Sequence, residues 1–285
     1  MDQKIIDLYD EYTHKPLPRR VFLERLAVLV GSATAIPAIL AQIEPNYALA
    51  AQVTAEDTRI AAERITFQGA TGDVGGYLAR PKLAEKAPAV IVIHENRGLN
   101  PYVEDVTRRL AADGFVALAP DLLAPLGGTP QDPDRARELI GQLDADKAVN
   151  NLIAAMSHLM AYRYSNAKVG VVGFCWGGGM VNRLAIKAPD LKAAVAFYGP
   201  TADPALVGTI KAPLQLHYAG LDQRINANVP AYGKALKKAG VSHEIHMYEG
   251  VNHAFHNDTS AERYNKEAAG LAWGRTVEFL KKNLG

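Results

Sequence analysis

The stretch Lys168-Val-Gly-Val-Val-Gly-Phe-Cys-Trp-Gly-Gly-Gly179 decides the fold, and it holds the one cysteine of the chain. Val169 to Val172 reads as a buried strand and Trp176 to about Lys187 as a helix, which sets Cys175 on the turn between them. Gly173 and Gly177 frame that residue as G-x-C-x-G, the cysteine form of G-x-S-x-G. Small residues at those two places let strand and helix approach while the residue between them takes strained backbone angles. The pattern predicts a nucleophile elbow. A thiol at a helix N-terminus also meets unpaired N–H groups and the positive end of the macrodipole, both of which favour thiolate. The competing reading is a structural cysteine packed in the core.

Working outward, the 285 residues are 48% hydrophobic, enough to bury the core of one sizeable α/β domain with some chain to spare. A net charge of +1 with the signs interspersed offers no basic stripe, so nucleic acid is not an expected partner. One cysteine excludes an intramolecular disulfide, and no C-x-x-C pair is available for zinc, so a structural metal is not expected.

Residues 1–55 read as an extension and 56–285 as the catalytic domain. In the extension a polar leader is followed by Arg19-Arg20-Val-Phe-Leu23 and an apolar run from Leu26 to Leu40. Paired arginines, a weakly hydrophobic segment and an A-x-A-like site at Ala48-Leu-Ala-Ala51 resemble a twin-arginine export signal. On that reading the mature protein is periplasmic or otherwise exported and has no membrane span. The alternative is a helix docked on the body and ended by Pro37, in a cytoplasmic protein.

In the domain, Arg64–Gln68 and Gly75–Ala79 read as a hairpin around Thr71-Gly72-Asp73, and Pro88–Ile93 as a strand buried on both faces. Further strands are expected at 115–119, 194–198, 213–218 and 244–248. Helices are expected at 101–113, 134–143, 145–162, 229–239 and 262–284. Such alternation describes an open, mostly parallel sheet covered by helices on both sides.

A thiol nucleophile needs a base, and the base needs an acid to orient it. Asp222 follows one apolar strand and His253 the next, so both belong at the carboxyl edge of the sheet with Cys175. Their order, nucleophile then acid then histidine, is that of α/β-hydrolases. Asp203 and Asp258 are competing acids. His243 and His246 lie three apart on a strand and face opposite sides, so they do not ligate a metal together. His256 is one helical turn from His253, which the triad already employs.

Together, His94-Glu95, Ala119-Pro-Asp-Leu122, Gly173-Phe-Cys-Trp-Gly177, Gly220-Leu-Asp222 and Asn252-His-Ala-Phe255 resemble the dienelactone hydrolase (carboxymethylenebutenolidase) family from about Glu63 onward. The resemblance implies an α/β-hydrolase fold and a Cys175, Asp222, His253 triad acting without a cofactor. It implies that Glu95 contacts the resting thiol, and that the backbone N–H groups of Trp176 and Asn96 form the oxyanion hole. The substrate is then a lactone or small carboxylic ester, cleaved through a thioester. Where the family has a carboxylate-binding arginine four residues past the histidine, this chain has Asn257. A second family arginine matches Arg135 or Arg137. Arg97 and Arg224, beside Glu95 and Asp222, are the candidates to take over carboxylate binding. A thioesterase or peptidase on the same triad, and a non-catalytic binding relative, are the alternatives.

Overall fold

A computed structural model describes residues 1–49 and 51–285; Ala50, inside the expected cleavage site, lies outside the described residues. The strands are β1 (Ile60–Gly69), β2 (Gly72–Pro81), β3 (Ala87–Ile93), β4 (Val116–Pro120), β5 (Ser165–Phe174), β6 (Ala193–Phe197), β7 (Leu214–Ala219) and β8 (His243–Tyr248). They form one sheet in the order β1-β2-β4-β3-β5-β6-β7-β8. β1 and β2 pair antiparallel, as do β2 and β4, and every other pairing is parallel. The helices are α1 (Gln3–His14), α2 (Arg19–Val30), α3 (Ile36–Ile43), α4 (Pro101–Ala112), α5 (Pro133–Gln142), α6 (Ala145–Ala161), α7 (Trp176–Lys187), α8 (Gln223–Asn226), α9 (Val229–Ala239) and α10 (Lys266–Leu284).

The continuous apolar run of β3 serves two cores at once, because successive side chains point to opposite faces. Ala89, Ile91 and Ile93 join Val149 and Leu152 of α6, Leu184 of α7 and Leu236 of α9 on one side. Val90 and Val92 join Val106 of α4 and Phe279 of α10 on the other. Side-chain caps set the helix starts: Asn100 accepts from Val103 N at α4, and Asp144 accepts from Asp146 N at α6. α10 begins at Lys266 and not at Glu262, because Asn265 takes the cap position and accepts from Ala268 N. The hairpin strands run longer than the expected 64–68 and 75–79, at ten residues each.

Residues 3–43 form three short helices around a small core of their own, in which Tyr12 and Phe22 stack at 4.4 Å. Pro37 does not end a helix. α2 stops at Gly31, whose φ of 72° is the left-handed cap, and Pro37 sits in the first turn of α3. Of the paired arginines, Arg19 bonds Glu44 and Asp134 at 3.0 and 2.9 Å, and Arg20 bonds Glu24. The helices meet the body largely through polar contacts: Asn96 Nδ2 donates to Thr13 O at 2.8 Å, Arg137 Nη1 to Tyr12 O at 3.0 Å, and Gln3 Nε2 to Asn252 Oδ1 at 2.7 Å. The C-terminal end of α1 is thereby laid over the carboxyl edge of the sheet. Among the described residues no single helix is long and apolar enough to cross a membrane.

Candidate active site

Cys175 stands between β5 and α7 with φ 56° and ψ −118°, a conformation that costs a non-glycine residue strain and lifts its side chain out of the strand. The flanking glycines make that turn possible. A Cβ on Gly177 would lie 2.5 Å from the carbonyl oxygens of Ile93 and His94, and one on Gly173 would lie 2.4 Å from Gly177 O. Trp176 is the first residue of α7, so its N–H has no preceding turn to bond.

Asp222 closes β7 and caps α8, its Oδ1 accepting from Ile225 N at 3.1 Å. Its Oδ2 lies 2.5 Å from Nδ1 of His253, in the loop after β8, and both residues are buried. Burial pushes the Asp222 carboxyl up, but the hydrogen bond and charge of His253 and the charge of Arg224 outweigh it and hold it below its usual value. Burial also pushes His253 down, yet the charge of a Cys175 thiolate and the Asp222 hydrogen bond prevail, and its pKa is pushed up to about 10. The other acids are engaged elsewhere: Asp258 bonds Arg109 at 2.6 Å, and Asp203 Oδ1 accepts from Ala205 N. His256 pairs with Tyr102 Oη at 2.7 Å. His243 contacts Val241 O and His246 contacts Glu244.

The hydrogen-bond partner of the thiol comes from outside the expected set. His14, the last residue of α1, places Nε2 3.2 Å from Cys175 Sγ. Its Nδ1 is 2.8 Å from Asp10 O, with Thr13 Oγ1 at 3.0 Å. A carbonyl only accepts, so Nδ1 carries the proton and the neutral ring turns the Nε2 lone pair toward sulfur. Burial, then the charges of His253 and Arg224, hold His14 well below the usual histidine value, and so neutral. The two imidazoles stand edge to face with centroids 4.6 Å apart, and Nε2 of His253 is buried without a hydrogen-bond partner.

Glu95 does not hydrogen-bond the thiol as expected. Its Oε1 accepts from Tyr198 Oη at 3.3 Å and its Oε2 from Asn257 Nδ2 at 2.8 Å, so the residue replacing the family arginine holds Glu95 in place. Tyr198 is kept a donor because burial, then the charges of Tyr102 and Glu95, push its pKa well above the usual value. Beside the sulfur lies a cavity of about 660 Å³ lined by His14, Arg137, Ile140, Trp176 and Arg224 among others. Arg97 does not line it. That side chain is buried beneath α1, where its Nη2 donates to Tyr9 Oη at 2.9 Å, so it is not placed to read a substrate in the cavity. Arg137 lines the cavity but already donates to Tyr12 O, and Arg135 bonds Glu138. Asn96 lines the cavity.

Neither His14 nor Tyr9 was legible as a site residue. The tail of an amphipathic helix more than 150 positions from the elbow carries no motif, and only the docked-helix reading points to it. A carboxylate, an imidazole and a thiol in this arrangement, next to an unbonded helix-start N–H, are equipped for nucleophilic substitution at an acyl carbon.

Known proteins were compared with this geometry. The profile of the Dienelactone hydrolase family matches residues 74–284. A relative from Synechocystis, provisionally described as a carboxymethylenebutenolidase, is 34% identical over 240 residues, covering 77% of this chain and 96% of its own. A hydrolase fragment from Escherichia coli K12 is 54% identical over 105 residues, covering 36% of this chain and 90% of its own. A crystal structure from Klebsiella pneumoniae, provisionally described as a dienelactone hydrolase, superposes with a TM-score of 0.72 at 29% identity over 78% of this chain and 99% of that one. The profile spans most of the chain and the Klebsiella structure superposes on it, so the chain belongs to the dienelactone hydrolase family, with the α/β-hydrolase fold, and is a hydrolase.

Proposed function

We propose that the chain cleaves lactones or small carboxylic esters with Cys175 as nucleophile. The Sγ thiolate attacks the carbonyl carbon, and the N–H groups of Trp176 and Asn96 bind the oxyanion. The C–O bond then breaks, and the alkoxide or enolate leaves, taking the proton that His253 holds at Nε2. Water loses a proton to the same nitrogen, attacks the thioester and releases acid and thiolate. Asp222 keeps the ring oriented throughout. The observation that carries this reading is the 2.5 Å contact between His253 Nδ1 and Asp222 Oδ2 beside a thiol on a strained elbow.

The cavity supports the substrate class. Its volume suits a small organic molecule, with Ile140, Pro16 and Trp176 as apolar wall. Arg224 is exposed at its rim and, among the described residues, has no hydrogen-bond or ion-pair partner, which suits it to a substrate carboxylate. The deciding experiment follows turnover of p-nitrophenyl acetate before and after iodoacetamide, then compares lactones, aryl esters and acyl thioesters. Thiol-dependent turnover with lactones or esters preferred is expected. Turnover that survives alkylation rules out the thiol mechanism, and a preference for acyl thioesters makes the enzyme a thioesterase.

A further inference from the structure

We infer that His14, Cys175 and His253 form a binding site for a thiophilic divalent cation, with zinc as the type. One ring nitrogen from each histidine and the Cys175 sulfur lie within 4.8 Å of one another. Bond lengths of about 2.0–2.1 Å to nitrogen and 2.3 Å to sulfur put the donors of a tetrahedral zinc roughly 3.5 Å apart. Sγ and His14 Nε2 are already at 3.2 Å.

Donor chemistry selects the ion. One sulfur and two imidazoles suit zinc or cobalt, and offer nothing to calcium or magnesium, which take oxygen. The outer contacts are those of a metal-binding histidine, whose second nitrogen is held by a carboxylate or carbonyl. His253 Nδ1 is held by Asp222 Oδ2 and His14 Nδ1 faces Asp10 O, so both rings present Nε2 to the same point. A second, independent sign is that His253 Nε2 is buried and without a hydrogen-bond partner. All three residues border the open cavity, which supplies an entry path and a water for the fourth position.

Binding forms bonds from the cation to the sulfur and both Nε2 atoms, and it releases the thiol proton together with any proton His253 carries on that nitrogen. The same bonds withdraw the sulfur lone pair from attack and the imidazole from proton transfer. Zinc therefore silences the hydrolase and ties α1 down over the site. This consequence rests on the proposed role of Cys175, whereas binding itself does not.

The full chain is titrated with Co²⁺ to read the thiolate-to-cobalt charge-transfer band, and with Zn²⁺ to displace it. p-Nitrophenyl acetate turnover is followed with Zn²⁺ and then with EDTA. One cobalt per chain, a band lost in Cys175→Ser, and reversible loss of turnover are expected. Removing an imidazole ligand costs at least the tenfold or so in affinity that an outer-shell partner does, so His14→Ala and His14→Gln both bind at least about tenfold more weakly. Circular dichroism certifies that these variants are folded, and glutamine keeps a polar group beside the sulfur. No band in the unaltered chain, or an equal band in both folded His14 variants, overturns the site. A cobalt band without esterase turnover leaves the site standing and refutes the proposed function. Thiol-dependent turnover without a band refutes only the site.

Discussion

A sulfur between two imidazoles can give its proton to either, and the surroundings decide which one takes it. Burial, then the charges of His253 and Arg224, keep His14 neutral, whereas burial at His253 is outweighed by the charge of a Cys175 thiolate and by Asp222 behind the ring, so that its pKa is pushed up to about 10. The charged partner of a thiolate is therefore His253. Its folded pKa lies above the unfolded value of about 6.5, so the pair contributes stability in full below that pH and loses it as pH rises through about 10. The alkaline limb of kcat/KM is expected in the same region. Asp222→Asn removes one of the causes that raise the value, so its limb should move to lower pH; an unmoved limb in the pH–rate profile would assign that ionisation to another group. Cys175→Ser is expected to lower kcat by roughly a thousandfold or more, since a hydroxyl is far harder to ionise and triad members act as a unit. At the cavity rim, Arg224→Met is expected to abolish the proposed charge-assisted hydrogen bond to a substrate carboxylate, about 1.5–3 kcal/mol, a tenfold to hundredfold loss of kcat/KM. That loss should appear with carboxylate-bearing lactones and be absent with neutral esters. Equal losses on both would mean that Arg224 does not read the substrate.

Among elements, the elbow tolerates the least change. Gly177→Ala drives a Cβ against two backbone carbonyls that belong to β3 and its following loop. Overpacking typically costs about 1–3 kcal/mol, and backbone cannot yield as a side chain does. The upper end of that range is expected in denaturant melts, with activity lost through displacement of Cys175. The elbow was legible because a strand buried on both faces is a pure apolar run and glycine is the one residue that fits the crossing. The hairpin strands were read too short because Glu63 at the start of one and Asp73 at the start of the other interrupt an apolar pattern without interrupting the ladder. α10 was read too long because Asn265 as a cap is decided by one side-chain bond to Ala268 N. Glu95 was expected against the resting thiol, but its partners Asn257 and Tyr198 are 162 and 103 positions away, a relation no local pattern carries.

At the scale of the molecule, residues 3–43 are a small unit with its own core, fastened to a larger one by hydrogen bonds and ion pairs. Such a junction resembles a transient interface more than a continuous core. Arg19 with Asp134 and Arg263 with Asp10 cross it. Arg19 with Asp134 is the part-exposed pair, which contributes about 0–1 kcal/mol and is screened by salt, whereas Arg263 is buried against Asp10 and is screened much less. Raising ionic strength should therefore speed amide hydrogen exchange in α1 and α2, by up to about fivefold, and leave β3 and β5 unchanged. Equal exchange at both salt concentrations would show that the hydrogen bonds and apolar contacts hold them without help from the ion pairs. The single cysteine brings a different liability. A thiolate that meets peroxide becomes a sulfenic acid, which ordinarily is rescued by condensing with a neighbouring thiol. This chain has no other thiol. Recovery from oxidation then depends on a small thiol diffusing in from solution before the irreversible sulfinic stage, so a hydrolase with the proposed Cys175 nucleophile is only as durable as the reducing power around it.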